Sequence, residues 1–364
     1  MKRITFTNIR FFLLIAFLGS ANNQLFSQET ETPAAVEGFL SNLSISGSVD
    51  AYFRTNFNGY NKYDEEEGSP QAPATSFAND PGFALGMANV ILSYEGEKAG
   101  FVADMVFGPR GEDAVFLSEG SSNIVNQLYA FYNVTDKFRL TLGNFNTFLG
   151  YEVISPAANF HYSTSYMFSY GPFSHTGLKA DFALTDNWSA MLAVMNPTDF
   201  TEFNPFGLYT FGGQLGYTND AGSAFLNLIY GEQAPGLDAT FQIDLTTGWD
   251  LSDSFYLGLN TTYNTTDGEG FYGVALYPQV KTSENFALGL RAEYFKELED
   301  GEGYVYGADV RALDFTLTGS YTVGNLIIKP ELRLDSVSED VFLDKDLAPI
   351  DNLSSFVLAA IYAF

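Results

Sequence analysis

Lys329, Glu331, Arg333 and Asp335 occupy every second position of one short stretch. In an extended chain that spacing puts all four on one face, as a ladder of alternating charge. Arg291 and Glu293 repeat the spacing earlier in the chain. Charges of this kind, lining a water-filled passage, set a transverse field and an ion preference. The plainer reading is a self-satisfied network that fixes the shape of a wall. Arg54, Asp104, Arg139, Lys179, Asp181 and Asp244 sit on the polar parity of other period-two runs and join the same set of candidates.

Hydrolysis is the other chemistry to weigh. His161 and His175 are the two histidines, and Asn159, His161 and Ser163 lie close together. A nucleophile–base pair is defined by geometry rather than by neighbourhood in sequence. His175 shares a parity with Gly177, Lys179 and Asp181, which suits a hydrogen-bonding residue in a lumen or at its rim. The chain has no Cys, so disulfides and thiolate metal sites are excluded. The acidic clusters at 64–67, 297–302 and 339–346 lack the spacing of an EF-hand. They read as a solvated rim rather than as bridges to lipopolysaccharide through divalent ions. No catalytic, cofactor or metal site is expected.

The elements that must position these residues follow from a change of period at Leu43. Leu43, Ile45, Gly47, Val49, Ala51, Phe53 and Phe57 share one parity, and Ser44, Ser46, Ser48, Asp50, Arg54 and Asn56 share the other. An apolar face opposite a polar one is the mark of a strand between lipid and water. Sixteen such runs follow: 43–57, 83–95, 99–108, 123–134, 137–146, 173–184, 187–196, 208–218, 222–232, 239–251, 254–264, 271–281, 285–297, 309–323, 325–337 and 353–364. Their connections alternate short and long. The short ones carry turn residues such as Asn219-Asp220, Ser252-Asp253 and Gly324. Barrels of bacterial outer membranes have short periplasmic turns and longer outer loops.

Two further patterns agree. Aromatics gather on the apolar parity beside the short turns, among them Tyr94, Phe101, Phe138, Phe182, Trp188, Tyr217, Trp249 and Tyr362. Arg54, Arg139, Lys179, Arg291, Lys329 and Arg333 fall on the polar parity of these runs, and Arg311 sits near an outer end. A Lys or Arg facing lipid at mid-bilayer costs about 2–4 kcal/mol. The last run, SSFVLAAIYAF, ends the chain on Phe364. An unpaired edge there invites aggregation, whereas pairing with the first run closes the sheet.

Loop 147–172 contains Glu152, Asn159, His161, Tyr162, Ser163 and Ser165. Structureless loops beyond about 15 residues are usually functional or disordered. This one is expected to fold inward and narrow the passage, the competing view being an outer cap.

Seventeen Lys and Arg stand against 44 Asp and Glu among 364 residues, which disfavours nucleic acid as a partner. Residues 1–21 read as a cleaved signal peptide: Lys2, Arg3 and Arg10 precede or flank an apolar core too short to span a bilayer. Cleavage as late as residue 27 fits equally. Residues 28–42 read as a plain periplasmic lead-in.

The segments GNFNTFLGYE (143–152), SYGPFSHTGLK (169–179) and NLIIKPELRLD (325–335) resemble the putative beta-barrel porin, OmpL-like family. The resemblance runs from about Ser46 to Phe364. It implies an outer-membrane pore of poorly defined substrate, with no catalytic residues to carry over. The terminal Phe also resembles the signal read by the barrel-insertion machinery.

The expected architecture is therefore all-β: one transmembrane antiparallel up-and-down barrel over 43–364, of sixteen strands, with fourteen or eighteen as alternatives. The expected function is passive diffusion of small hydrophilic solutes or ions across the outer membrane. The alternative is a non-conducting scaffold acting through its acidic outer loops. Expected partners are outer-membrane lipid, lipopolysaccharide, the insertion machinery and small solutes, and a homotrimer is compatible with the chain.

Overall fold

Sixteen antiparallel strands close on themselves, each paired with its sequence neighbour and the last with the first. The computed structural model describes Gly38, residues 40–63 and residues 68–364. The signal-like segment 1–21, most of the lead-in 28–42 and the acidic cluster 64–67 lie outside the described residues. Gly38, Leu40 and Ser41 are helical, where the sequence reads as a plain linker.

The first half of the wall is β1 (Leu43–Asn56), β2 (Gly82–Glu95), β3 (Ala99–Phe107), β4 (Val125–Thr135), β5 (Phe138–Asn146), β6 (Ser174–Ala183), β7 (Trp188–Met195) and β8 (Thr210–Asn219). The second is β9 (Gly222–Glu232), β10 (Ala239–Ser252), β11 (Phe255–Thr266), β12 (Glu269–Lys281), β13 (Phe286–Glu297), β14 (Arg311–Val323), β15 (Leu326–Val337) and β18 (Asn352–Ala363). Two-residue strands β16 (Phe342–Leu343) and β17 (Pro349–Ile350) form a hairpin inside the last long loop. The barrel strands lie within two residues of their sequence-read boundaries. The small hairpin and the short helices Pro109–Ala114 and Tyr166–Tyr170 stand in segments that read as plain loops. They are too short for a periodic signal.

Closure removes the edge. Val49 pairs with Tyr362 and Phe53 with Leu358. Gly47 and Phe364 exchange both backbone bonds, at 3.0 and 2.9 Å. In the turn between β14 and β15, Gly324 at φ 58° takes the left-handed conformation that a two-residue hairpin demands.

The two parities meet different surroundings. On β18, Leu353, Val357, Ala359 and Ile361 are buried inside, whereas Leu358 and Tyr362 are exposed outside. The outward aromatics beside the short turns touch from strand to strand: Phe138 stacks on Phe182 at 4.8 Å, and Trp188 meets Tyr217 at 5.0 Å. They form the inner belt of an outer-membrane protein. One departure from strict alternation lies in β2. Its register against β1 shifts between Val49 and Ala51, so Phe83 and Leu85 point outward and Met87 and Asn89 inward. The extra residue wraps Asp50, whose carboxylate accepts Met87 N–H at 3.0 Å. A Cβ on Gly86 would stand 1.7 Å from that carboxylate.

Candidate functional site

Loop 147–172 runs through the barrel as a strap, and its irregular backbone needs partners wherever it leaves water. The inward charges of the wall supply them. Wall carboxylates take strap N–H groups. Asp244 on β10 accepts from Gly150 at 2.9 Å. Glu331 on β15 accepts from Tyr162 and Ser163 at 2.9 and 3.2 Å. Glu293 on β13 accepts from Tyr166 and Met167 at 2.8 Å each. Those last two N–H groups open the helix Tyr166–Tyr170, so the carboxylate also meets the positive end of its dipole. Ser165 caps the same helix by accepting from Phe168 N–H at 3.1 Å.

Wall cations take strap carbonyls. Lys329 donates to Pro156 O and Asn159 O at 2.8 and 2.5 Å. Arg333 donates to Thr164 O, and Arg291 to Ser163 O, both at 2.8 Å. The strap returns one charge, Glu152, which meets Arg291 at 2.8 Å. Tyr162 donates its hydroxyl to Asp50 at 2.5 Å, and Tyr166 to Asp335 at 3.0 Å.

The sequence candidates thus fall into separate groups. Arg291, Glu293, Lys329, Glu331, Arg333 and Asp335 are brought together on β13 and β15 and are all buried. Asp314 on β14 stands between them, 2.6 Å from Arg291 and 3.7 Å from Arg333. Sequence reasoning missed it, although it shares the inward parity of Ala312, Thr316 and Thr318. Arg54 lies at the outer end, donating to Asn56, Gln71 O and Asn79 O. Asp104 accepts from Asn89 and Asn126 at 3.3 and 2.6 Å. Arg139, Lys179 and Asp181 lie apart at the short-turn end, where Arg139 pairs with Glu95 at 2.6 Å. They line a cavity of about 780 Å³.

Arg110 is a second omission. It stands in an outer loop with no periodic signal, yet it is buried. It donates to Ile154 O and Tyr162 O of the strap at 2.9 and 3.1 Å. Its guanidinium lies 4.4 Å from the centre of the Phe77 ring.

Asn159, His161 and Ser163 do not converge as a hydrolytic set. Asn159 clasps Val153 through both backbone groups. Ser163 Oγ accepts from Arg291, and His161 Nδ1 bonds Thr318 at 2.7 Å. Thr318 donates its single proton to Glu331, so it accepts from His161, which fixes the Nδ1–H tautomer. Burial, with Arg291, Lys329 and Arg333 nearby, holds the His161 imidazole well below its usual range.

The lumen is not uniformly wet, as its polar parity suggests it should be. Tyr162 packs with Tyr52, Val357, Ala359 and Ile361, and Tyr166 and Met167 with Phe271, Phe295 and Leu353. The strap brings its own apolar side chains and finds apolar residues on the inward parity to cover. Beneath the long loops a cavity of about 80 Å³ touches Arg110 and Tyr162. At the short-turn end the spaces are several times larger, up to about 780 Å³. Nor is every outer acid solvated. Glu297 is buried and accepts the N–H groups of Tyr304, Val305, Tyr306 and Gly307, folding the loop between β13 and β14.

A family model described as Putative beta-barrel porin-2, OmpL-like matches residues 42–364. Among solved structures, the anion-selective porin from Comamonas acidovorans is similar at 12% identity and a TM-score of 0.58, over 88% of this chain and 99% of that one. OprB of Pseudomonas putida is similar at 11% identity and a TM-score of 0.60, over 90% of this chain and 95% of that one. OmpT, an outer membrane protein of Vibrio cholerae in its trimer form, is similar at 11% identity and a TM-score of 0.53, over 88% and 99% of the two chains. At these identities the likeness is one of fold. Among curated proteins nothing matches.

Proposed function

The chain belongs to the family Putative beta-barrel porin-2, OmpL-like, and we propose that strap 147–172 sets the throat of its outer-membrane pore. The observation that carries this reading is the double anchoring of the strap. Wall carboxylates hold its N–H groups, and wall cations hold its carbonyls, in one network around Arg291, Glu331 and Arg333. Small hydrophilic solutes and ions pass beside or past this strap by diffusion, and the charges it leaves uncovered set the preference among them. Single-channel recording in planar bilayers tests it. Stepwise openings are expected, with larger steps after Glu152→Gln. Equal steps from both proteins would remove the strap from the throat.

A scaffold that does not conduct is the second reading. The small cavity beneath the long loops favours it. Silence in bilayers from both the parent barrel and Glu152→Gln supports that reading and rejects the first. Catalysis has no part in either proposal, because the Ser163 and His161 side chains are engaged with Arg291 and Thr318.

Residues 1–21 serve in this proposal as a secretory leader, and the last strand as the address read by the insertion machinery. Lipid and lipopolysaccharide surround the exposed apolar parity. A homotrimer is proposed by analogy with the trimeric form of Vibrio cholerae OmpT. The mass of the detergent-extracted complex decides it.

A further inference from the structure

Tyr256 on β11 borders three adjoining spaces at the short-turn end of the lumen, of about 280, 480 and 350 Å³. The strap lies against them and contributes Phe148, Tyr151 and Phe160 to their walls. Each of these rings sits where a strand carries glycine. A Cβ on Gly212 would stand 2.7 Å from the Phe148 ring. One on Gly258 would stand 2.5 Å from Tyr151, and one on Gly289 would stand 2.3 Å from Phe160. The wall has been cleared of side chains so that aromatic rings can lie there. Tyr151 and Tyr256 are joined by a hydroxyl bond of 3.0 Å.

Apart from Ala157, Ala158, Ile327 and Phe225, the remaining lining of the second and third spaces is polar, and Lys329 is the one charged residue on it. Gln279, Gln214, Ser320 and Thr246 offer amides and hydroxyls from the inward parity of four strands. Lys329 reaches the second space, but its ammonium donates to Pro156 O and Asn159 O. Asp250, Asp253, Lys281 and Glu284 lie at or beside the turns that rim the first space. The neighbouring cavity of about 780 Å³ is different, being lined by Arg139, Lys179 and Asp181.

We propose that the Tyr256 vestibule is a binding station for neutral ring saccharides. A pyranose presents an apolar face of C–H groups and an edge of hydroxyls. The first matches an aromatic ring, and the second matches amides and hydroxyls held around it. An ion entering the second or third space loses hydration and finds only Lys329, whose ammonium is already held by Pro156 O and Asn159 O. The proposal rests on the lumen being open to solutes, as the pore reading holds, and it names the class of solute that pauses there.

The test is calorimetric titration of the whole folded barrel in detergent, which reads binding without transport. The probes are maltose and glucose, mannitol as a polyol without a ring face, and sodium gluconate as a charged relative. Saturable binding of maltose is expected, about tenfold tighter than mannitol or gluconate, the span that one aromatic face supplies. Tyr256→Phe keeps the face and retains binding, whereas Tyr256→Ala weakens maltose about tenfold. Heat-modifiable migration on gels confirms that each variant is folded, and Gln279→Ala tests the polar edge should Tyr256→Ala fail to fold. Equal binding of maltose and mannitol, or no change on losing the ring or the amide, overturns the proposal. Maltose binding by a barrel silent in bilayers would sink the pore reading alone. A conducting barrel indifferent to ring shape would sink the saccharide reading alone.

Discussion

Arg291 donates to Glu152 at 2.8 Å, from the wall to the strap, with 0% and 3% of the two side chains left exposed. The pair is 139 positions apart in sequence. It has company. The same guanidinium reaches Asp314 at 2.6 Å and Ser163 O at 2.8 Å, while Glu152 also accepts from Ser165 N–H at 2.7 Å. Every nitrogen of the guanidinium and both oxygens of the carboxylate find a partner, which makes the pair a lock between strap and wall.

Breaking the lock from one side leaves an uncompensated charge away from water, at a cost of about 3–5 kcal/mol. Arg291→Met is expected to destabilise the barrel by that order in urea titrations from lipid vesicles. Glu152→Met is expected to cost less, because Asp314 still neutralises the guanidinium. The double variant should lose less than the two single losses added together, since it strands neither charge. Strict additivity would show that the contact carries no coupling.

Acid should loosen the strap through His161. An imidazole in the unfolded chain titrates near 6.5, and the folded environment holds it well below that. The neutral form therefore favours the seated strap. Its contribution is full above pH 6.5 and is lost progressively as pH falls below that toward the folded value. Protection of the amides around 159–166, measured relative to their intrinsic exchange rates, should fall between pH 6.5 and 4, and His161→Gln should flatten the dependence. An unchanged slope in the variant would assign the effect to other groups.

The two parities predict opposite outcomes for one substitution. Leu142 on β5 is exposed on the outer face, and an Arg there meets hydrocarbon at about 2–4 kcal/mol. Gln127 on β4 points inward, its amide 3.4 Å from the Asp104 carboxylate. Leu142→Arg should lower vesicle-folding stability by that amount, whereas Gln127→Arg should cost little because Asp104 is within reach. Equal losses would contradict the assignment of lipid and lumen faces.

These faces were legible in the sequence because period two and turn chemistry are local. Six of the charges around the strap were legible too, since Lys329 to Asp335 and Arg291 to Glu293 keep the parity of their strands. What they bind was not. A carboxylate's parity says that it points inward and leaves open whether water or a backbone N–H meets it, as Glu331 shows with Tyr162. Asp314 carried the right parity as well, level with Thr316 and Thr318, and was passed over. The shift at Gly86 and Met87 in β2 follows from packing around Asp50, and Arg110 reaches the strap across some 50 residues of chain. Both depend on contacts between distant segments.

Closure makes separate predictions for the backbone and the ring of Phe364. Its N–H and C=O both bond Gly47, at 2.9 and 3.0 Å. Each such bond is worth about 0.5–1.5 kcal/mol net, and deleting the residue removes both. The barrel lacking residue 364 should therefore refold into vesicles with lower stability, and protease should cut sooner near Gly47. Phe364→Ala keeps both bonds and loses only the ring, which is half exposed. If the ring is the feature that the insertion machinery reads, this variant refolds normally in vitro but accumulates unassembled in cells. If instead it assembles in cells as well as the parent does, the terminal Phe acts through its backbone, by completing the ladder between β1 and β18.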